Sequence, residues 1–226
     1  MMPRPMPAAV IFDNDGLTLD TEQAWTRAET ELFARHGSVF TMEHKRDLLG
    51  SSRESAAVKL EHHLGLPGRG EALMNEMHDI VMEEVLQGAP PMPGVVELLS
   101  ALREAGIPVA IASNASREFI ARALPAGGVD GCFDAVVTAD DVERPKPAPD
   151  VYLAAAAALG ADPGRCVALE DSRTGVAAAR AAGMVVIGVP SLPGVDLDEA
   201  HHVARSVADP MVWELVGLAG DVRPVP

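Results

Sequence analysis

The sequence is poor in cysteine and in aromatic residues, and each shortage excludes a class of protein. Two cysteines, Cys132 and Cys166, occur among 226 residues. They are too few for a disulfide framework, and neither lies at metal-ligand spacing from a histidine. Aromatic residues make up 4% of the chain, so its apolar residues are chiefly Ala, Val and Leu. This composition favours helices packed on a sheet over a β-sandwich.

Positive charge is also scarce. Lys and Arg number 18 against 33 Asp and Glu residues, which gives a formal net charge of -15. A chain this acidic is not expected to bind a nucleic-acid backbone or an anionic membrane. An anionic small-molecule substrate is not excluded, because a metal ion and a few cations can reverse the local field.

Long apolar runs are absent from the sequence. No stretch reaches the roughly 18 uninterrupted apolar residues that a membrane helix needs. Residues 1–7 lack the apolar core of a signal peptide. We therefore expect a cytoplasmic protein without a membrane partner, either a monomer or a weak homodimer.

What the chain does have is an alternation of short apolar segments with helical patterns. Strands are predicted at residues 8–12, 109–112, 135–138, 166–169 and 185–189. Helices are predicted between them at residues 95–104, 117–124, 151–159 and 173–182. Alternating strands and helices are typical of a parallel sheet covered on both faces, so we predict a doubly wound, Rossmann-like α/β core.

The alternation is interrupted after the first strand. Residues 21–86 show no convincing strand pattern but four helical ones, at residues 22–36, 43–48, 54–64 and 72–86. A segment rich in Gly and Pro, residues 88–94, marks the return to the alternating pattern. We predict that residues 19–89 form a small helical cap domain, inserted into an α/β core made of residues 1–18 and 90–226.

Two acids separated by one residue, Asp13 and Asp15, follow the first predicted strand directly, and Gly16 comes next. Ligands of open α/β sheets bind at the carboxyl ends of the strands. Such a pair suits a reaction in which one carboxylate attacks and the other moves protons. An Asp-Gly turn at a strand end is the alternative interpretation of this segment taken alone.

Three further segments bring polar groups to the same edge, because parallel strands all point one way. They carry Ser113 and Asn114, Lys146, and Glu170 and Asp171. Each segment alone fits a turn, a solvated charge or a helix cap. Together, the carboxylates repel one another unless a cation lies among them, and an oxygen-only ligand set favours Mg²⁺. A hydroxyl, backbone N–H groups and a lysine suit a phosphate, so the set predicts a phosphoryl-transfer site.

The order of these segments resembles the haloacid dehalogenase-like superfamily over essentially the whole chain from about residue 8 to residue 189. The resemblance rests on Phe12-Asp13-Asn14-Asp15-Gly16, Ser113, Lys146-Pro147-Ala148-Pro149-Asp150 and Leu169-Glu170-Asp171-Ser172. The helical insertion is similar to the small type-1 cap of that family. The branch most resembled contains sugar-phosphate phosphatases and β-phosphoglucomutase. Segment 49–54 is similar to its substrate-contacting cap loop, which implies substrate binding by Gly50 and Arg53.

The resemblance also implies a mechanism. Asp13 would attack phosphorus to form an aspartyl-phosphate, and Asp15 would protonate the leaving oxygen and then activate water. An Mg²⁺ ion would be held by Asp13, the carbonyl oxygen of Asp15 and Asp171, with Glu170 in or beside the ligand set. The transferring phosphoryl group would be bound by Ser113, Asn114 and Lys146.

Two departures from the mutase pattern favour water as the phosphoryl acceptor. Trp25 stands where the mutase has a histidine that gates its general acid, and an indole cannot transfer a proton. Residues 74–77 contain no lysine, although the mutase carries one near there. Dehalogenation is disfavoured as well, because members that cleave carbon–halogen bonds generally lack the second acid, Asp15.

We therefore predict an Mg²⁺-dependent phosphatase that hydrolyses a small phosphorylated metabolite, a sugar or polyol phosphate. A phosphosugar mutase similar to β-phosphoglucomutase is the second hypothesis. The third is a catalytically silent binding protein of the same fold, and the intact set of acids and Lys146 argues against it.

Overall fold

Six parallel strands form one sheet in the computed structural model, which describes residues 6–49, 51–192 and 194–218. The strands are β1 (Ala9–Phe12), β2 (Val109–Ala112), β3 (Ala135–Val137), β4 (Cys166–Glu170), β5 (Val185–Gly188) and β6 (His202–Val203). Their order across the sheet is β3-β2-β1-β4-β5-β6. The register places Phe12 beside Ile111 and Leu169, so the carboxyl ends of the three central strands are level.

Helices cover both faces of this sheet. They are α1 (Glu22–Arg35), α2 (Met42–Leu48), α3 (Arg53–Leu64), α4 (Gly70–Val85), α5 (Val95–Glu104), α6 (Arg117–Ala126), α7 (Asp150–Ala158), α8 (Arg173–Ala181) and α9 (Pro210–Leu215). In β1, Val10 and Phe12 pack in one core, whereas Ala9 and Ile11 pack in a second, alanine-rich core. Burial on both faces is typical of a parallel sheet, and it confirms the predicted doubly wound α/β fold.

Local sequence explains where the helices of the core begin and end. The buried residues of α5 recur at helical spacing: Val95, Leu98, Leu99 and Leu102. The chain leaves α5 through Gly106, whose φ of 69° is one that a residue with a Cβ rarely adopts. Helix α8 begins after Ser172, whose hydroxyl accepts a hydrogen bond from the Gly175 N–H. Within the described residues, no helix combines the length and the apolar character that a membrane crossing requires.

The first four helices after β1, α1 to α4, are the ones predicted for the insertion, and each predicted end lies within two residues of the observed end. Helices α1 and α3 both pack against α4. The two segments that connect these helices to the core lie side by side. The Asp20 N–H donates to the Pro90 carbonyl at 2.8 Å, and the Met92 N–H donates to the Thr18 carbonyl at 3.0 Å. This arrangement holds the helices next to the carboxyl end of β1. The assignment of residues 19–89 to a separate cap domain stays a prediction.

Two elements, β6 and α9, have no counterpart among the predicted elements. β6 has only 2 residues, too few to show a period, and it pairs with β5 at the sheet edge. α9 has 6 residues and begins at Pro210 after Asp209, whose side chain accepts a hydrogen bond from the Met211 N–H. Asp followed by Pro is a start signal for a helix, so α9 could have been found from the sequence.

Candidate active site

The polar residues that follow the strands converge on one cavity of about 230 Å³. Those that line it are Asp13, Asp15, Ser113, Asn114, Lys146 and Asp171. Arg53, at the start of α3, also lines it, and its guanidinium donates a hydrogen bond of 2.6 Å to Asn75. Gly50 lies outside the described residues, so its predicted substrate contact stays a prediction.

Lys146 is the central cation of the site. Its Nζ lies 2.5 Å from Asp13 Oδ1 and 2.5 Å from Glu170 Oε1, and the residue is 3% exposed. Burial by itself lowers the pKa of Lys146, but the charges of Asp13 and Glu170 outweigh that effect and raise it. Lys146 is therefore an ammonium group held against the predicted nucleophile.

Asn114 holds Lys146 rather than facing the cavity freely. Its Oδ1 accepts a hydrogen bond of 2.8 Å from the Lys146 N–H, and its Nδ2 donates one of 3.1 Å to the Lys146 carbonyl. Both ends of the amide are thus engaged by the backbone that carries the lysine. A role in positioning Lys146 follows directly from these contacts, whereas phosphate binding by Asn114 stays a prediction.

Glu170 lies behind Lys146, fully buried at the end of β4. Its Oε1 accepts hydrogen bonds from Lys146 and, at 2.7 Å, from the Tyr152 hydroxyl. Its Oε2 accepts from the Asp171 N–H, the Ser172 N–H and the Ser172 hydroxyl at 3.0 to 3.1 Å. A Cβ at Gly175 would lie 1.7 Å from Glu170 Oε1, so only glycine fits there. Glu170 therefore orients Lys146 against the start of α8, and its predicted metal contact stays a prediction.

Asp15, the predicted general acid, is hydrogen-bonded to side chains at the start of α1. Its Oδ1 accepts hydrogen bonds from Thr21 Oγ1 at 2.7 Å and from Trp25 Nε1 at 3.3 Å, and its Oδ2 lies 3.5 Å from Ser113 Oγ. Burial raises the pKa of Asp15, although the Thr21 and Trp25 hydrogen bonds oppose that rise. A carboxyl group with a raised pKa suits a general acid. Trp25 contacts this acid from α1.

A divalent metal ion fits the acids of this site. One carboxylate oxygen from each of Asp13, Glu170 and Asp171 lies within 4.8 Å of the other two. Burial raises the pKa of Asp13 to about 8 against the effect of Lys146, and burial together with the Asp13 and Glu170 charges raises the pKa of Asp171. Carboxylates this close repel one another, and a hard cation relieves the repulsion while keeping them ionised.

Some residues of the site were missed by the sequence analysis. Ser191 Oγ donates a hydrogen bond of 2.6 Å to Asp171 Oδ2 and follows β5 by a few residues, so the reasoning applied to the other strand ends could have found it. Tyr152, the only tyrosine of the chain, gave no signal because it lies inside α7. Gly16, by contrast, belongs to the predicted motif. Its φ is 78° and a Cβ there would lie 2.5 Å from Asp171 Oδ2, so glycine is required at this position.

Comparison with known proteins agrees with this geometry. A family model described as haloacid dehalogenase-like hydrolase matches residues 7–183. Hexitol phosphatase B of Escherichia coli strain K12 is 35% identical over 193 residues, which span 84% of this chain and 86% of that protein.

Two solved structures share the fold over most of their length. CbbY from Rhodobacter sphaeroides in complex with phosphate has a TM-score of 0.79 at 28% identity, covering 90% of this chain and 96% of that chain. β-Phosphoglucomutase from Clostridium difficile has a TM-score of 0.76 at 25% identity, covering 89% and 92%. The chain is therefore a hydrolase and belongs to the haloacid dehalogenase-like hydrolases, as its motifs predict.

Proposed function

We propose that the protein is an Mg²⁺-dependent phosphatase that hydrolyses a sugar or polyol phosphate through an aspartyl-phosphate on Asp13. The observation that carries this proposal is the placement of Asp13 against the Lys146 ammonium in a cavity that also contains Asp15. One carboxylate, one proton donor and one fixed cation are what a two-step phosphoryl transfer needs. The similarity to hexitol phosphatase B supports the same enzyme class.

In the first step, an Asp13 oxygen forms a bond to phosphorus while the bond from phosphorus to the leaving oxygen breaks. Asp15 donates its proton to that leaving oxygen, so the product leaves as a neutral alcohol. In the second step, Asp15 accepts a proton from water, and the resulting nucleophile displaces Asp13 from phosphorus. Each step therefore returns Asp15 to the protonation state that the other step needs.

The other residues stabilise the transferring group. Lys146 offers positive charge beside Asp13, and Ser113 offers a hydroxyl that is oriented by a hydrogen bond of 3.0 Å from the Ala115 N–H. Asp13, Asp171 and the Asp15 carbonyl oxygen would hold the Mg²⁺ ion, which when bound neutralises charge on the phosphoryl oxygens. We interpret the helices of residues 19–89 as a cap that excludes bulk water from the cavity.

Water is the acceptor that the cap residues favour. Trp25 contacts Asp15 where a mutase needs a side chain that can exchange protons, and an indole only donates a hydrogen bond. A phosphosugar mutase would instead return the phosphoryl group to a second hydroxyl of the sugar. Incubation with β-glucose 1-phosphate and a bisphosphate primer separates the two functions, because the phosphatase releases inorganic phosphate and the mutase yields glucose 6-phosphate.

A panel of phosphorylated metabolites, assayed for phosphate release with and without Mg²⁺, tests the proposal. We expect release from sugar or polyol phosphates that requires Mg²⁺. No release from any member of a broad panel would contradict the phosphatase and favour a silent binding protein.

Replacing Lys146 by alanine should lower kcat by about 10²–10³, the range typical of losing one electrostatic stabiliser of a transition state. The change removes the ammonium group that lies 2.5 Å from Asp13 Oδ1. Phosphate release at saturating substrate measures it, and a melting curve shows that the variant is folded at the assay temperature. Arg144→Ala is the matched control, since Arg144 is two residues away in the chain but its exposed side chain pairs with Asp150. A loss of kcat under threefold in Lys146→Ala would show that Lys146 does not stabilise the transferring phosphoryl group.

Replacing Trp25 by phenylalanine should shift the alkaline limb of the kcat profile to higher pH, by about one unit or less. The indole hydrogen bond favours ionised Asp15, so its loss raises the pKa of Asp15 further. Because the first step needs protonated Asp15, activity then persists to a higher pH. Phenylalanine keeps an aromatic ring against Phe119, so packing changes little. An unchanged or acid-shifted limb would show that Trp25 does not act on Asp15.

A further inference from the structure

Three charged residues of the cap, two of them buried and one partly buried, line the same cavity as the catalytic groups. Glu22 and Glu29 lie on α1 and Lys45 lies on α2. Lys45 Nζ is 2.9 Å from Glu22 Oε2 and 2.9 Å from Glu29 Oε2. Lys45 is 3% exposed and Glu29 is 5% exposed. We call Glu22, Glu29 and Lys45 the cap triad.

A purely structural role explains the cap triad poorly. Burying charges costs free energy that apolar side chains would not, and apolar residues could join α1 to α2 equally well. The triad also keeps hydrogen-bonding capacity. Glu22 Oε2 lies 2.9 Å from Lys45 Nζ, and a carboxylate oxygen in a cavity wall can accept a further hydrogen bond from a ligand.

The cap triad stands where the leaving group of a substrate must lie. Glu22, Trp25 and Glu29 are three and four residues apart, so they share one face of α1. The Trp25 indole contacts Asp15, the residue that protonates the leaving oxygen. The leaving group of the substrate, which is bonded to that oxygen, therefore extends toward the cap triad.

The remaining wall of this part of the cavity is largely apolar. Its apolar residues include Trp25, Leu48, Leu60, Met74, Met77 and Phe119, and three polar residues, Ser51, Arg53 and His78, line the same cavity. Apolar and aromatic walls with a few converging polar groups are characteristic of sites for small molecules. Such walls suit the C–H surfaces of a sugar or polyol, and the triad then faces its hydroxyl groups.

We propose that Glu22, Glu29 and Lys45 bind the hydroxyl groups of the leaving group, and that they select uncharged, hydroxyl-rich phosphate monoesters. This inference rests on the proposed phosphatase function. The carboxylates accept hydrogen bonds from hydroxyls, and the Lys45 ammonium donates one. When both glutamates are ionised, two carboxylates against one ammonium leave a net negative charge, which repels a second phosphate or a carboxylate on the substrate. Burial raises the pKa of Glu29 to about 7, so this repulsion is complete only above that pH.

The test compares Glu22→Gln and Glu29→Gln with the wild type on two substrates, sorbitol 6-phosphate and p-nitrophenyl phosphate. The first has a polyol leaving group, and the second has an aromatic one without hydroxyls. We expect the ratio of their kcat/KM values to fall about tenfold to a hundredfold in each variant, the effect of losing hydrogen bonds to a charged group. Glu84→Gln is the matched control, because Glu84 pairs with Arg27 in the cap but does not line this cavity. Its ratio should change less than threefold.

The outcomes separate this inference from the function on which it rests. A wild-type protein that releases phosphate from neither substrate would contradict the phosphatase itself. Activity on both substrates with an unchanged ratio in both variants would overturn the inference alone, since the triad would then only join α1 to α2.

The wild type supplies a measurement that does not depend on the folding of any variant. We expect its kcat/KM for fructose 1,6-bisphosphate to be at least about tenfold below that for fructose 6-phosphate, because the second phosphate meets the net negative triad. Equal or faster hydrolysis of the bisphosphate would overturn the inference.

Discussion

Asp13→Asn is expected to lower phosphate release by about 10⁴–10⁶, the range seen when the nucleophile of a covalent mechanism is removed. An amide nitrogen or oxygen in this position is a poor nucleophile, so no aspartyl-phosphate forms. The substituted residue would still lie against Lys146 at the end of β1. Phosphate release under single-turnover and steady-state conditions measures the loss.

The fold should survive this change. Burial and the neighbouring carboxylates raise the pKa of Asp13 to about 8, which means that its charged form is disfavoured where it stands. An uncharged amide removes that repulsion, while Lys146 keeps Glu170 as its partner. We therefore expect that, in the presence of a chelator, the melting temperature of the variant is at most a few degrees below that of the wild type.

Asp20→Asn is the matched control for the nucleophile. Asp20 follows the same strand and its carboxylate accepts a hydrogen bond of 2.8 Å from Gln23, but it does not line the cavity. It should keep activity within about threefold of the wild type. Activity of Asp13→Asn near the wild-type level would mean that another residue attacks phosphorus.

The position of the site could be predicted from the sequence because it depends on topology. Parallel strands end at one edge of a sheet, so residues placed directly after them, such as Asp13, Ser113 and Asp171, must lie near one another. The helical insertion could be predicted for a related reason, since the spacing of its apolar residues is helical, whereas the flanking segments contain short apolar runs typical of buried strands. Both predictions use only the order and spacing of residue types.

The partners of each side chain could not be predicted in the same way. Asn114 and Glu170 both contact Lys146, which the sequence did not predict, while their expected roles toward phosphate and metal stay predictions. The cap triad joins residues of two helices whose relative position is set by tertiary packing rather than by spacing along the chain. Contacts of this kind depend on rotamers and on close packing, and neither leaves a pattern in a single sequence.

Removal of divalent metal should abolish phosphate release, and return of Mg²⁺ should restore it. The Lys146 ammonium pairs with Asp13 and Glu170, and the carboxyl groups of Asp15 and Asp171 line the same cavity. Without a further cation these groups repel one another and an incoming phosphate. The assay is phosphate release after treatment with EDTA, followed by titration with Mg²⁺.

Thermal unfolding provides a second readout that does not depend on catalysis. A cation at about 100 times its dissociation constant stabilises the folded state by about 2.7 kcal/mol, which for a chain of this size raises the melting temperature by about 5–10 °C. Asp171→Asn should lose most of that rise, because it removes a carboxylate that contacts the proposed ion, whereas Asp79→Asn on the exposed face of α4 should retain it. An equal rise in both variants would place the stabilising ion elsewhere on this acidic surface, and the four carboxyl groups would then need another explanation for their close approach.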